Sequence, residues 1–312
     1  SDNASPSGGA GTGSANIAIS GTTDFSNRTT AYALDAITLD AKAGEQINAA
    51  SDLMLYARRE GAGGLIAFTA SGTGSIDVTG TLIADAQAGA SSITGTPGMD
   101  TTGGTITLTT TGGTIAFGDA SMFDVHAYGG DGTTGGTGTG GSIAFLADGG
   151  SISGTGETTF FATGYSGSSE FGSGLAAGDG IGGTITLATG AGGGDLSFGT
   201  LIAEADGNDI FFNDPSEPFV NPGGDGGDGI GYAADSHDSA LGTTPFVSGS
   251  GSGGLIGFSA SGGTATLTTL TMNANGEGGL SRAGDSFAPI GSTAGDGTGG
   301  TASLALSGTG AL

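Results

Sequence analysis

Gly103-Gly104-Thr105-Ile106-Thr107-Leu108 is the stretch from which the fold of this chain is read. Two glycines introduce a phrase in which apolar residues alternate with threonine, and a period of two belongs to a strand with one buried face. The phrase recurs. Gly63-Gly64 precedes Leu65-Ile66-Ala67-Phe68, Gly140-Gly141 precedes Ser142-Ile143-Ala144-Phe145, and Gly182-Gly183 precedes Thr184-Ile185-Thr186-Leu187. Gly253-Gly254 before Leu255-Ile256-Gly257-Phe258 and Gly299-Gly300 before Thr301-Ala302-Ser303-Leu304 complete the set, while Ile17 with Ile19 and Ile37 with Leu39 fit without the glycines.

Working outward, the first buried positions are Ile17, Ile37, Ile66, Ile106, Ile143, Ile185, Ile256 and Ala302, spaced from 20 residues (Ile17 to Ile37) to 71 (Ile185 to Ile256). That is too irregular for a fixed-length repeat. Within each unit the spacing tightens. A second short strand follows, marked by Ile47, Ile76, Ile115, Ile152, Leu196 and Ala265. A third reads apolar-x-apolar-x-Ala in most units. Its inward sets are Leu53, Leu55, Ala57; Leu82, Ala84, Ala86; Phe123, Val125, Ala127; Phe160, Ala162, Gly164; Leu201, Ala203, Ala205; and Leu270, Met272, Ala274.

Three short strands per unit with glycine-rich corners predict an all-β chain, a right-handed parallel β-helix (solenoid) of about seven coils. A lone coil cannot bury its inward face, so stability must come from stacking. The second buried position of the first strand reads Leu39, Phe68, Leu108, Phe145, Leu187, Phe258, Leu304, and alternating large and small shapes let layers interlock. Residues 1–15 are expected to be a flexible N-terminal segment and 16–312 a single β-helix domain. Length variation falls after the third strand, at 87–102, 128–139, 165–181, 206–252 and 275–298, which puts the long loops on one edge of the rod. The insertion at 206–252 is the largest, and 299–312 reads as an incomplete last coil.

Composition bounds function. Glycine supplies 71 of 312 residues, and five basic residues face thirty acidic ones for a net charge of −25. Such a surface repels nucleic acid and anionic bilayers. With no cysteine, disulfides, thiolate nucleophiles and zinc ribbons are excluded. No apolar run is long enough to span a membrane, so the chain is not membrane-embedded. No signal peptide is visible, so the sequence reads as a mature form or an excised segment.

Candidate chemistry is sparse. Gly-Asp-Gly phrases place Asp131, Asp179, Asp228 and Asp296 shortly before the next strand. The stretch from Gly223 to Gly231, with Asp225 and Asp228, matches one nonapeptide of the repeats-in-toxin calcium β-roll, so Ca²⁺ is a candidate ligand there and, more remotely, at Asp131, Asp179 and Asp296. The alternative is that Asp beside Gly makes tight turns and keeps the rod soluble. Catalysis is not expected: outward Asp85, Asp124 and Glu204 fall on different coils, at most one of Arg58 and Arg59 faces a groove, and His126 reads as a surface residue. Outward Met54, Ile83, Phe161 and Ile202 are either covered by the loops or mark a lateral contact.

The phrase running from Gly138 to Phe145 and from Gly180 to Leu187 resembles the repeats of filamentous-haemagglutinin-type exoproteins, a likeness covering about residues 37–312. The Asn-rich secretion motif of that family is missing and the loops are longer. The resemblance implies a secreted bacterial, cell-surface fibre or adhesin that engages a host or surface glycan or protein. The expectation is an extracellular structural or adhesive solenoid, with an acidic surface-layer or matrix protein assembled through Ca²⁺ bridging as the alternative and a polysaccharide-acting β-helix enzyme as a more remote one. An unfinished coil offers unpaired strand edges, with Leu304 and Leu306 at the open end, so the expectation is either a slice of a longer polypeptide or head-to-tail self-association into a filament.

Overall fold

The computed structural model describes residues 16–90, 96–167, 176–208, 249–277 and 296–306. Among them there are only strands, turns and bends, and no helix long and apolar enough to cross a membrane. Among the described residues every strand ladder is parallel, and an isolated antiparallel bridge joins Ser71 and Gly112.

The first sheet has eight strands, in chain order Asn16–Ser20, Ala36–Ala41, Leu65–Ser71, Thr105–Thr111, Ser142–Asp148, Thr184–Thr189, Leu255–Ala260 and Thr301–Leu306. Their order in the sheet equals their order in the chain, although strands of other sheets intervene between each pair. The register matches the sequence reading residue for residue. Ile17, Ile37, Ile66, Ile106, Ile143, Ile185, Ile256 and Ala302 form one column. Leu39, Phe68, Leu108, Phe145, Leu187, Phe258 and Leu304 form the next, so aliphatic and aromatic side chains do alternate along the stack.

A second, eleven-stranded sheet holds both the second and third strands of the units. They are separate early in the chain, as in Ser75–Val78 and Leu82–Asp85, and become single long strands at Ser151–Phe161, Asp195–Glu204 and Thr264–Asn273. The expectation of three strands per unit is corrected in a second way. The roots of the loops pair as well, in two five-stranded sheets that lie against each other. One contains Arg59–Glu60, Ala88–Gly89, Ala127–Tyr128, Gly164–Tyr165 and Gly207–Asn208; the other contains Thr101–Thr102, Gly138–Thr139, Gly180–Ile181, Gly251–Ser252 and Gly297–Thr298. The stretches expected to be irregular at 87–102, 128–139, 165–181 and 206–252 therefore begin and end as ordered ladder.

The third-strand register also differs. Phe123 pairs with Ala84, not Leu82, and Phe160 pairs with Ala203, not Leu201. The places opposite Leu82 and Leu201 belong to Ser121 and Thr158, both fully buried. Ser121 fits because its Oγ accepts the Leu82 N–H at 3.0 Å and donates to the Gly118 carbonyl at 2.8 Å. The consequence is packing: Phe123 and Phe160 sit between the small residues Ala84 and Ala203 and join Phe117, Phe145 and Phe198 in one aromatic core, with neighbouring ring centroids 4.9–6.4 Å apart.

Glycine serves two positions. Gly44, Gly72, Gly112, Gly149 and Gly193, between first and second strands, have φ of 60–89°, a left-handed conformation that costs other residues. The paired glycines act differently, through close approach. The second of each pair donates its N–H to the end of a third strand, as in Gly64 to Ala57, Gly141 to Val125 and Gly183 to Ala162. A Cβ on Gly141 would run into the carbonyl oxygen of Gly104 in the neighbouring unit.

Candidate functional site

Inward Leu, Ala and Phe residues of the third strands force their neighbours outward, and these outward residues form one column: Tyr32, Tyr56, Asp85, Asp124, Phe161, Glu204. A parallel register thus brings together residues that lie far apart in the chain. Tyr32 and Tyr56 stack, with centroids 4.8 Å apart and planes 12° apart. The Arg58 guanidinium lies 4.9 Å from the Tyr56 ring centroid and grips Asp85 with both Nε (2.8 Å to Oδ1) and Nη2. Asp85 is 1% exposed, and its hydrogen bond holds the Arg58 pKa above the ordinary value.

The next rung repeats the arrangement with different groups. Asp124 accepts Gln87 Nε2 at 2.8 Å through Oδ2, and through Oδ1 it meets His126 Nδ1 at 2.6 Å and the His126 backbone N–H at 3.0 Å. The His126 ring stands edge-on to Tyr128 (4.5 Å) and Tyr165 (5.8 Å), which stack on each other at 4.8 Å and 13°. Burial, then the Asp124 carboxylate, pushes the Tyr128 phenol up; burial and then Tyr128 push Tyr165 up further. Burial and then Asp206 raise the Glu204 carboxyl. The strip therefore combines stacked tyrosine rings with buried, hydrogen-bonded Asp85 and Asp124 carboxylates.

No known protein family, curated protein or solved structure matches the chain.

Two sequence expectations are corrected by this geometry. Asp85 and Asp124, expected to stay apart because they belong to different units, occupy adjacent rungs, because the strands run in register. Glu204 lies two rungs beyond Asp124, with Phe161 between. His126, expected at the surface, has a side chain only 12% exposed and an Nε2 that is buried without a hydrogen-bond partner. Arg58 pairs with the buried Asp85, and Arg59 lies 3.5 Å from Asp35. Tyr128 and Tyr165 were missed by the sequence reading, although both stand five residues after a core phenylalanine, Phe123 and Phe160.

The acidic loop residues are placed apart. Thr101 pairs with Gly138, Gly138 with Gly180, Gly180 with Gly251 and Gly251 with Gly297, so Asp100, Thr137, Asp179, Ser250 and Asp296 follow one another along the ladder. Asp100 Oδ1 accepts the Thr137 N–H and Asp179 Oδ1 accepts the Ser250 N–H, each at 2.7 Å. These carboxylates cap backbone of the following unit, and Asp179 and Asp296 are separated by two strand spacings, about 10 Å. Asp131 lies outside this column, and among the described residues no three His, Asp or Glu side chains gather closely enough to hold a metal. Asp225 and Asp228 lie outside the described residues.

Of the outward apolar residues, Met54 pairs with Ile83 and Ile83 with Met122, while Ile202 lies opposite Thr159 and Phe161 belongs to the carboxylate column. Met54, Ile83, Phe161 and Ile202 are all half-buried, and Arg28 Nη2 sits 3.1 Å from the Met54 sulfur. Leu304 occupies an inward column yet is 47% exposed; Leu306 pairs with Ala260.

Proposed function

We propose that the chain is a right-handed parallel β-helix of stacked units and that it serves as an extracellular structural or adhesive rod that associates end to end. The solenoid reading is supported by strand orders that follow the chain and by inward columns shared across units. The observation that carries the assembly is at the outermost strands. Asn16–Ser20 and Thr301–Leu306 each have a partner on one side only among the described residues, yet both keep the alternation of interior strands. Stacking of Thr301–Leu306 on the Asn16–Ser20 of another copy would continue the columns, covering Ala302 and Leu304 with Ile17 and Ile19. The likeness to filamentous-haemagglutinin-type repeats points the same way. The reading is non-enzymatic, since His126, the histidine of the strip, has Nδ1 committed to Asp124 and Nε2 shut off from solvent.

Sedimentation and electron microscopy test it. Concentration-dependent rods that disappear in Leu304→Lys support the proposal. A chain that stays monomeric at every concentration refutes it. A second reading, assembly through Ca²⁺ between acidic edges, is favoured by the exposed carboxylates on alternate rungs at Asp100, Asp179 and Asp296; a chelator that leaves assembly and melting unchanged eliminates it.

A further inference from the structure

The outer face of the first sheet is almost without charge. Its ladders carry no register shift, so the outward residues line up as regularly as the inward ones. The central outward column contains Thr38, Ala67, Thr107, Ala144, Thr186 and Gly257. Of the columns on either side, one holds Leu65 and Leu255 and the other holds Asp40 and Leu146, with Ser, Thr, Ala or Asn at the remaining places. Across these columns Asp40 is the one charged side chain, and Lys42 lies 3.8 Å from it. Asp148, at the end of its strand, is turned along the rod and accepts the Gly192 N–H at 2.6 Å. The outward face of the eleven-stranded sheet is the opposite case, with Asp24, Asp77, Asp85, Asp124, Asp195 and Glu204.

That asymmetry selects an occupant. Two copies of a chain carrying −25 repel wherever their acidic faces meet, so a second copy can approach closely only through a face that lacks the charge. The size suits one. Eight strands at ~4.8 Å and about six residues at ~3.3 Å give roughly 750 Å², near the ~800 Å² per partner of a standard interface. The shape suits one as well. Leu65, Leu146 and Leu255 stand on alternate strands, with Leu146 38% and Leu255 42% exposed, and the places beside them are small. The Thr186 and Ser303 hydroxyls turn back onto the Ile143 and Ile256 carbonyls at 3.4 Å, so a dry contact does not strip them of partners.

We propose that rods pair side by side through this face, two copies of the chain meeting about a two-fold axis that runs along the central column. That axis sets each unit on the same unit of the second copy and exchanges the flanking columns. Leu65 then faces Thr69 of the second copy, Leu146 faces Ser142 and Leu255 faces Ser259, so large side chains meet small ones. Asp40 faces Ala36 and not its own mate. Both rods point the same way, so the contact is compatible with end-to-end association without resting on it. Mostly small and hydroxylated, one face holds a lone copy weakly, and rods that align many copies multiply the contact.

Electron microscopy of the full chain is expected to show rods lying in pairs. Ala144→Glu sets a carboxylate opposite its own mate on the axis and should leave single rods of unchanged length at an unchanged melting temperature; Thr107→Glu, in the same column, gives the same readout should that variant melt early. Ser153→Glu adds the same charge to the outward face of the other sheet and should leave the pairs intact. Because the chain has no cysteine, Ala144→Cys treated with a short bismaleimide reads the contact directly, and at least five-fold more covalent dimer is expected than from Ser153→Cys. Single rods in the parent chain, equal cross-linking at the two positions, or loss of pairs in both glutamate variants would overturn the proposal. An unpaired parent chain that adsorbs to ice or to microcrystalline cellulose would overturn it in favour of an extended solid surface. Absence of rods together with preferential Ala144→Cys dimers would refute end-to-end association alone and support the pairing.

Discussion

Gly140 and Gly299 hold the same corner of two different units, yet alanine is expected to be costly at one and harmless at the other. A Cβ on Gly140 would stand 2.5 Å from the Ala162 carbonyl carbon and 2.6 Å from the Gly183 nitrogen, and closer still to the Ala162 oxygen. Unstrained carbon contacts are ~3.5–4.0 Å, so the two units must part locally by roughly 1 Å. The obstacle is backbone, and no rotamer change relieves it. Overpacking of this kind costs ~1–3 kcal/mol. The displaced groups also carry the Gly140 N–H to Ile181 and Gly183 N–H to Ala162 hydrogen bonds, each worth ~1 kcal/mol. A loss of about 3–4 kcal/mol follows, or a fall in Tm on the order of 10 °C for a chain of this size. Gly299 has nothing within 4 Å of the same position, because no further unit lies over it among the described residues. Its replacement is expected to leave Tm unchanged or slightly raised through the unfolded chain. Thermal unfolding followed by far-UV circular dichroism compares the two. Equal Tm values for Gly140→Ala and Gly299→Ala would refute the close-approach argument. Gly299→Ala also bears on assembly: a copy stacked in register would meet that methyl, so the variant should stay monomeric while melting normally.

Other perturbations reach different parts of the molecule. Arg58→Ala leaves the buried Asp85 carboxylate without its cation and should cost about 2 kcal/mol, reduced from the fully buried case because the guanidinium is half exposed; Arg58→Lys, lacking the two-pronged grip, should recover less than half in chemical denaturation. Ala120 holds φ at 55°, so Ala120→Gly should raise the urea midpoint by an amount equivalent to about 0.5–1 kcal/mol, and a lower midpoint would show that the strain is absent. Glu204 has a folded pKa above its unfolded value, so its effect on stability is most favourable below pH ~4.5 and is lost as the pH rises through the folded pKa. Glu204→Gln should therefore raise Tm at pH 7 and change it little at pH 4; the reverse order would contradict the burial argument. Asp119 is shifted the opposite way, because its carboxylate accepts the N–H groups of Glu157 and Ala120. Its contribution is present at neutral pH and lost on acidification below ~pH 4, so Asp119→Ala should lower Tm at pH 7 and flatten the acid limb.

The sequence by itself determined the strands and what faces inward. Period-two alternation is written in each phrase, and the isoleucine and Leu/Phe columns appear in the structure with the register read from the chain. It also determined where the corners fall, since a backbone that must touch its neighbour tolerates only glycine. Tertiary structure decided the rest. Ser121 and Thr158 occupy core positions that an apolar pattern passes over: the Ser121 hydroxyl is met by the Leu82 N–H and the Gly118 carbonyl, whereas the buried Thr158 hydroxyl has no hydrogen-bond partner among the described residues. The tyrosine and carboxylate strip was illegible for a related reason. Arg58 and Asp85, Asp124 and Gln87, and Tyr128 and Tyr165 are neighbours only because parallel strands repeat at about 4.8 Å, while the chain between them varies freely in length. Alternation along one strand is a local property and can be read locally, whereas adjacency across strands is set by register. Gly89 belongs to the second kind: in the chain it is one glycine among 71, and only the ladder sets it between the strand positions of Glu60 and Tyr128.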